Sequence, residues 1–264
     1  MDAVLEAHDV GLVRAGNPSP LTLEGTNTWL VGRDPCWVVD PGPDLDEHVA
    51  AVLDAAAARG GVGGVALTHD HADHAGAVAA VGGDGAVLAA RYAGATARIG
   101  DGDAAGPLRA IAVPGHAPDH LCFALADAVC FTGDAVLGAG SVFIAPDPGA
   151  LAAYLAGLER LRAAGFARLA PGHGPLVEDA DAKLAEYLAH RLDREARLVA
   201  ALDGGARTTD ALLDAAWDDV PDALRLPATV TLFAHLDKLA EEGRLPDGVQ
   251  ERPEWFGQLG RHAH

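Results

Sequence analysis
The run Thr68-His69-Asp70-His71-Ala72-Asp73-His74 packs three histidines and a candidate carboxylate ligand, Asp73, into six residues directly after an apolar stretch. On an extended loop, side chains two positions apart point the same way, so His69 and His71 can share one metal ion. Asp73 and His74 follow as the loop turns and can serve a second. Three further segments have matching form: Pro114-Gly115-His116, Thr132-Gly133-Asp134 and Pro171-Gly172-His173-Gly174. Each sets a ligand-type side chain at a strand end beside a glycine that permits a tight turn. A surface loop that is His-rich by chance would not be accompanied by these three. The chemistry open to such a set is metal-assisted attack of water on an electrophilic carbonyl or phosphorus centre.

The elements that must position these residues are legible from pattern and punctuation. Residues 25–31 and 36–39 read as strands, the second stopped by Asp40 and Pro41-Gly42-Pro43. Residues 48–59 have helical spacing ended by Gly60-Gly61. Residues 62–68 form an apolar strand running into the histidine cluster, and 75–81 a short helix. Strands are expected at 87–90, 108–113, 121–125, 128–132 and 167–170, with a tight turn at Ala126-Asp127. Residues 150–164 carry Leu151, Leu155, Leu158 and Leu161 on one helical face. From Asp179 onward the chain reads as helix, at 182–202, 208–216 and 227–242, with a short β wing opening at Arg244-Leu245. A boundary near 176–182 divides a catalytic unit, residues 1–180, from a C-terminal unit, residues 181–264.

The 264 residues carry a formal charge of −19, which repels phosphate backbones at long range and counts against a DNA partner. Only Lys183 and Lys238 are lysines. Cys36, Cys122 and Cys130 form no CxxC and no disulfide framework, and the last two sit in apolar runs as buried thiols. The N-terminus lacks the basic-then-apolar pattern of a secretory signal, and no stretch suits a bilayer span, so no membrane partner and a cytoplasmic location are expected.

The HxHxDH run and the three later segments, in this order and spacing, resemble the metallo-β-lactamase superfamily over residues 8–180. The resemblance implies an α+β fold, an αββα four-layer sandwich with metals at one edge, followed here by a small, mostly helical winged-helix-like domain. It implies that His69, His71 and His116 bind one metal, that Asp73, His74 and His173 bind the other, and that Asp134 bridges them. Two cations about 3.5–4 Å apart hold a hydroxide between them and lower its pKa towards about 7. Nitrogen and oxygen donors without thiolate suit two Zn²⁺, and Mn²⁺ or Fe²⁺ fits the same set. Asp73 is also a candidate to guide the proton of that hydroxide. Asp40 stands where relatives keep a carboxylate that steadies the site. His120 stands where relatives often keep a histidine, for a structural hydrogen bond or for proton donation. The remaining histidines, His8, His48, His190, His235, His262 and His264, read as surface or helix-packing residues.

Asp134 replaces the cysteine of the commonest secreted β-lactamases. The forty or so residues from Asp134 to His173 are too few for the inserted cap of the larger nucleases. Residues 17–32, 133–140 and 171–175 resemble the lactamase-like endoribonuclease branch of animal mitochondria and its bacterial relatives, with glyoxalase II-type thioester hydrolases nearby. Three readings follow: a dinuclear zinc hydrolase of a thioester, ester or lactone; an endoribonuclease cleaving single-stranded RNA at the same centre; and a mononuclear iron persulfide dioxygenase. The acidic charge favours a small-molecule substrate over RNA. The third C-terminal helix offers only His235 and Lys238 to a nucleic acid, so that domain reads as packing or substrate-shaping. The long helix at 182–202 could support a homodimer.

Overall fold
A computed structural model describes residues 2–253 and Phe256; His262 and His264 lie outside the described residues. The elements, in chain order, begin with α1 (Ala3–Ala7), β1 (Val10–Arg14), β2 (Asn27–Val31), β3 (Cys36–Val39), α2 (Asp46–Ala57), β4 (Val62–Ala66), α3 (Ala72–Ala75) and α4 (Val78–Val81). They continue with β5 (Ala86–Ala89), β6 (Ala97–Arg98), β7 (Ala104–Ala105), β8 (Leu108–Ala112), β9 (Leu121–Leu125), β10 (Val129–Gly133), α5 (Ala150–Ala164) and β11 (Arg168–Pro171). The chain closes with α6 (Ala180–Asp203), α7 (Thr209–Ala216), a 3-10 turn (Asp222–Leu224) and α8 (Arg225–Glu241).

Two sheets form, one ordered β1-β2-β3-β4-β5-β6 and the other β11-β10-β9-β8-β7. The first is antiparallel from β1 to β3 and parallel from β3 to β6, with α2 making the crossover that a parallel β3–β4 pair requires. Their inner faces meet through Trp29, Val39 and Ala66 on one side and Leu108, Phe123 and Phe131 on the other. Val38, Val65 and Leu67 pack outward against Val52, Val78 and Val81 of α2 and α4. Cys122, Cys130 and Leu169 pack outward against Leu151, Tyr154 and Leu158 of α5 and Leu184 and Tyr187 of α6. The result is the expected helix–sheet–sheet–helix order. Strands buried on both faces, such as β2 and β10, explain why the sequence there is apolar without alternation.

Helix α6 begins where the Asp179 side chain accepts the Ala182 N–H, a hydrogen-bonded N-cap. Its first half belongs to the sandwich core, while Leu198 and Leu202 belong to a separate core with Leu212, Leu213, Leu232 and Phe233 of α7 and α8. The C-terminal unit is therefore joined to the sandwich by a shared helix. The wing expected at Arg244-Leu245 is not a strand. Gly243 takes φ 68°, the N–H groups of Arg244 and Leu245 turn back to Leu239 O, and the Arg244 side chain reaches Glu195 at 3.0 Å. A left-handed helix end with returning N–H groups leaves no edge for pairing. The short helix expected at 75–81 is two one-turn helices, broken at Gly76-Ala77. No helix of the described residues is long and apolar enough to cross a membrane.

Candidate metal centre
Five strand ends deliver the candidate site. Asp40 follows β3, the His69–His74 run follows β4, His116 follows β8, Asp134 follows β10 and His173 follows β11. Hydrogen bonds between these loops and the two sheets fix their spacing. Leu121 N–H donates to Thr68 O (2.7 Å), and Gly172 N–H donates to Gly133 O (2.9 Å). Asn27 Nδ2 donates to Pro171 O (3.0 Å) and Gly174 O (2.8 Å), and Trp29 Nε1 donates to Pro171 O (3.0 Å). The segment around Asn27 thus carries the loop of His173. At Gly172 any Cβ would stand 2.6 Å from His74 Cε1 and 2.8 Å from Asp134 Oδ1, so only glycine lets the loops close.

The side chains converge in three overlapping groups: His69, His71 and His116; His69, His74 and Asp134; and Asp73, His74 and His173. In the first, His71 Nδ1 lies 3.0 Å from His69 Nε2 and 3.1 Å from His116 Nε2. In the last, His74 Nε2 and His173 Nε2 stand 3.2 Å apart, with Asp73 Oδ2 at 3.3 Å from His173. Asp134 lies between the groups, Oδ2 at 3.6 Å from His116 and Oδ1 at 3.4 Å from both His74 and His173. All seven residues singled out from the sequence are therefore brought together.

This arrangement fits metal ions. Ring nitrogens held about 2.0–2.1 Å from one tetrahedral ion lie a little over 3 Å apart, which is the spacing found. Asp134 Oδ1 is buried with no hydrogen-bond partner, a costly state for a carboxylate oxygen unless a cation meets it. The electrostatics agree. Burial works against a charged ring at His173, yet the adjacent carboxylates of Asp134 and Asp73 lift it to about 9. His74 is likewise disfavoured by burial but raised by Asp134 and Asp40. Burial opposes the charge of Asp73, and His173 and His74 overcome it to bring the carboxyl down to about 2. Carboxylates that draw protons onto two neighbouring imidazoles create the field that draws a divalent cation.

The far nitrogen of each ring shows how it is held. Asp40 Oδ2 accepts His74 Nδ1–H at 2.8 Å and Thr68 Oγ1–H at 2.7 Å, while Oδ1 accepts Thr68 N–H at 2.8 Å. With its proton given to Asp40, Thr68 Oγ1 is left to accept from His69 Nδ1, 2.9 Å away. His116 Nδ1 faces Phe143 O at 3.4 Å, and the Phe143 ring packs on the imidazole at 4.7 Å between centroids. Each ring so held turns its Nε2 towards the centre. His120 Nε2 accepts the Asp134 N–H at 3.1 Å.

Several of these contributors carry no ligand signature in the sequence. Thr68 carries the Asp40 bond to His69, and its place before the HxHxDH run was the available signal. Phe143 lies in a loop without periodicity and left no signal. His48 and His235 are buried on α2 and α8, which is the helix-packing alternative of the sequence reading; His48 Nε2 also lies 2.9 Å from Thr28 Oγ1 and 3.1 Å from Pro41 O, pinning the loop after Asp40.

The centre forms the floor of a cavity of about 560 Å³. His71, Asp73, His116, Asp134 and His173 face it from the sandwich, and its walls are Leu21, Leu23, Leu137 and Phe143 together with Trp217 and Leu224 of the C-terminal unit. A second cavity of about 530 Å³ shares His71 and His116 and runs past Phe143 towards Phe256.

Residues 21–107 match the family described as Metallo-beta-lactamase superfamily, and residues 208–248 match the Beta-lactamase associated winged helix domain. The chain is 31% identical over 271 residues to the Lactamase-like protein adaB of Aspergillus niger, covering 92% of this chain and 84% of that protein. A beta-lactamase domain protein from Burkholderia ambifaria shares the fold with a TM-score of 0.76 at 22% identity, covering 91% of this chain and 89% of that one. The protein TTHA1623, solved in a di-iron-bound form, is 29% identical with a TM-score of 0.51, covering 64% of this chain and 94% of its own. With two facing sheets between helical layers, histidine and aspartate clusters at five strand ends and a lactamase-like relative matched over most of its length, the chain belongs to the metallo-β-lactamase superfamily of metal-dependent hydrolases and carries that superfamily's associated winged-helix domain.

Proposed function
We propose that this protein is a dinuclear zinc-dependent hydrolase of a thioester, ester or lactone with a largely apolar acyl body. The observation that carries the reading is the position of Asp134 between two ligand groups at the floor of an apolar cavity. His69, His71 and His116 would hold one ion, and Asp73, His74 and His173 the other, with Asp134 shared. The di-iron form of TTHA1623 supports two ions, while the donor set equally suits zinc. When bound, the ion pair supplies Lewis acidity to the substrate oxygen and a water acidic enough to attack near neutral pH.

The chain's own residues do the rest. Asp40 and Thr68 keep His74 and His69 in the tautomer that leaves Nε2 free. His120 is a positioning residue: its Nε2 is spent on the Asp134 N–H, which fixes the carboxylate. Asp73, with 32% of its side chain exposed, is the carboxylate that can take a proton from the attacking water at the cavity face. Leu23, Leu137 and Phe143 would shield the centre from bulk water and, with the exposed Leu21 at the cavity wall, seat the acyl chain.

The lining and the charge of −19 favour an acyl substrate over a polyanion. The test is a panel of a medium-chain acyl thioester, an aryl ester, a γ-lactone and a single-stranded oligoribonucleotide. Zinc-dependent release of thiol, phenol or acid supports the reading. Cleavage of the oligonucleotide alone would replace it with a nuclease.

A further inference from the structure
We infer that Arg191, with Tyr187, anchors a carboxylate at the end of the substrate remote from the scissile bond, so that the preferred acyl substrates are amphiphiles with an apolar body and an anionic tail. The inference rests on the acyl-hydrolase reading for what lies at the other end of the ligand.

Two arginines on α6 line the large cavity, and their environments differ. Arg194 is ion-paired with Asp219 at 2.7 Å. Arg191 is 2% exposed and has no carboxylate partner among the described residues. One of its terminal nitrogens donates to Ser141 Oγ (3.0 Å) and to Val142 O, and its guanidinium covers the Tyr154 ring at 5.6 Å. Its Nε–H is buried without an acceptor. The nearby carboxylate Glu186 is already occupied by Lys183 at 3.0 Å. A guanidinium withdrawn from water with no counter-charge is expensive, and a buried cation normally finds an anion.

Tyr187 adds a second donor. Its oxygen accepts the Leu137 N–H at 2.9 Å, while its own O–H has no acceptor among the described residues. Burial holds the phenol protonated, so the hydroxyl stays a donor. Arg191 and Tyr187 line the same cavity as His71, Asp73 and His116. Leu21, Leu137 and Phe143 line the same cavity and would contact the apolar body. A guanidinium beside a phenolic O–H in an apolar pocket suits a planar oxyanion, and a carboxylate answers both donors.

Decanoate and decanamide, matched in chain and different in charge, are titrated calorimetrically into the metal-loaded protein and its Arg191→Met and Arg191→Lys variants, with melting temperature and metal content recorded for each. The expected result is at least tenfold tighter binding of decanoate by the wild type. Arg191→Met should bring the two ligands within about twofold with the decanamide affinity unchanged, and Arg191→Lys should keep most of the preference. A preference that survives in Arg191→Met places the carboxylate on the metals and overturns the inference. So does an absent preference in the wild type, or an equal loss for both ligands, which would assign Arg191 to holding the 141–142 loop. If Arg191→Met does not fold, Tyr187→Phe decides instead: it must cut the preference at least threefold, and an unchanged ratio overturns the anchor. Binding is read without turnover. Charge-selective binding in a protein that hydrolyses no acyl substrate therefore removes the hydrolase reading and leaves the anchor, and hydrolysis without charge selectivity does the reverse.

Discussion
Asp40→Asn changes one atom, and the hydrogen-bond network around it gives the consequence. Asp40 accepts three bonds: Thr68 N–H on one oxygen, and Thr68 Oγ1–H and His74 Nδ1–H on the other. An asparagine can place its amide nitrogen on either side. Facing Thr68 N–H, it sets two donors against each other in a buried position, which costs about 1–3 kcal/mol. Facing the other side, it donates to His74 Nδ1 and to Thr68 Oγ1, and the hydroxyl then turns its proton to His69 Nδ1. Both imidazoles are forced into the tautomer with a proton on Nε2, the nitrogen that faces the centre. In the proposed assignment His69 serves one ion and His74 the other, so both ions would lose a donor. Loss of a ligand's outer partner typically weakens metal binding about 10–100-fold, or about 1.4–2.7 kcal/mol. Competition with a chromogenic chelator measures zinc affinity at each site, and Asp70→Asn, a carboxylate outside the network, is the control. Unchanged affinity at both sites in Asp40→Asn would refute the tautomer argument.

Gly172→Ala should abolish stoichiometric metal binding, because the added methyl meets His74 and Asp134 below 3 Å; elemental analysis of the purified variant checks this. Glu195 should link stability to acid. His235, Lys238 and Arg244 gather on it and hold its carboxyl down to about 2 from an ordinary 4.5. A depressed carboxyl stabilises the fold above its unfolded value and loses that contribution as pH falls. The melting-temperature lead of the wild type over Glu195→Gln should therefore be full above pH 4.5 and vanish towards pH 2, amounting to on the order of 1 kcal/mol because its partner Arg244 is exposed to solvent. Phe123→Ala, at the closed seam between the sheets, should cost about 3–5 kcal/mol in denaturant unfolding without changing the ligand set.

The ligands were legible because metal chemistry restricts residue type and because strand ends followed by glycine punctuate the sequence. His69 to His74 could be read from one loop, while His116, Asp134 and His173 repeat the same form. Asp40 was legible as a carboxylate closing an apolar strand. What the sequence hid depends on tertiary packing. Arg191 reads as an ordinary charge on an amphipathic helix, and only the cavity shows that it is buried. Phe143 supplies a carbonyl and a ring to His116 from an aperiodic loop. Strands β6 and β7, of two residues each, are too short for any periodicity, and their pairing comes from the sheets they border. The wing failed as an expectation because turn geometry at Gly243 sends the chain back to α8, and composition alone does not set that direction.

The central claim is that Asp134 is shared by two ions. Metal content per chain, by elemental analysis of wild type and Asp134→Ala purified without chelator, tests it directly. The structure leads us to expect two zinc-like ions per chain in the wild type, and one or none with activity lost in the variant. A single ion in the wild type, or two retained ions and full activity in Asp134→Ala, would contradict the account.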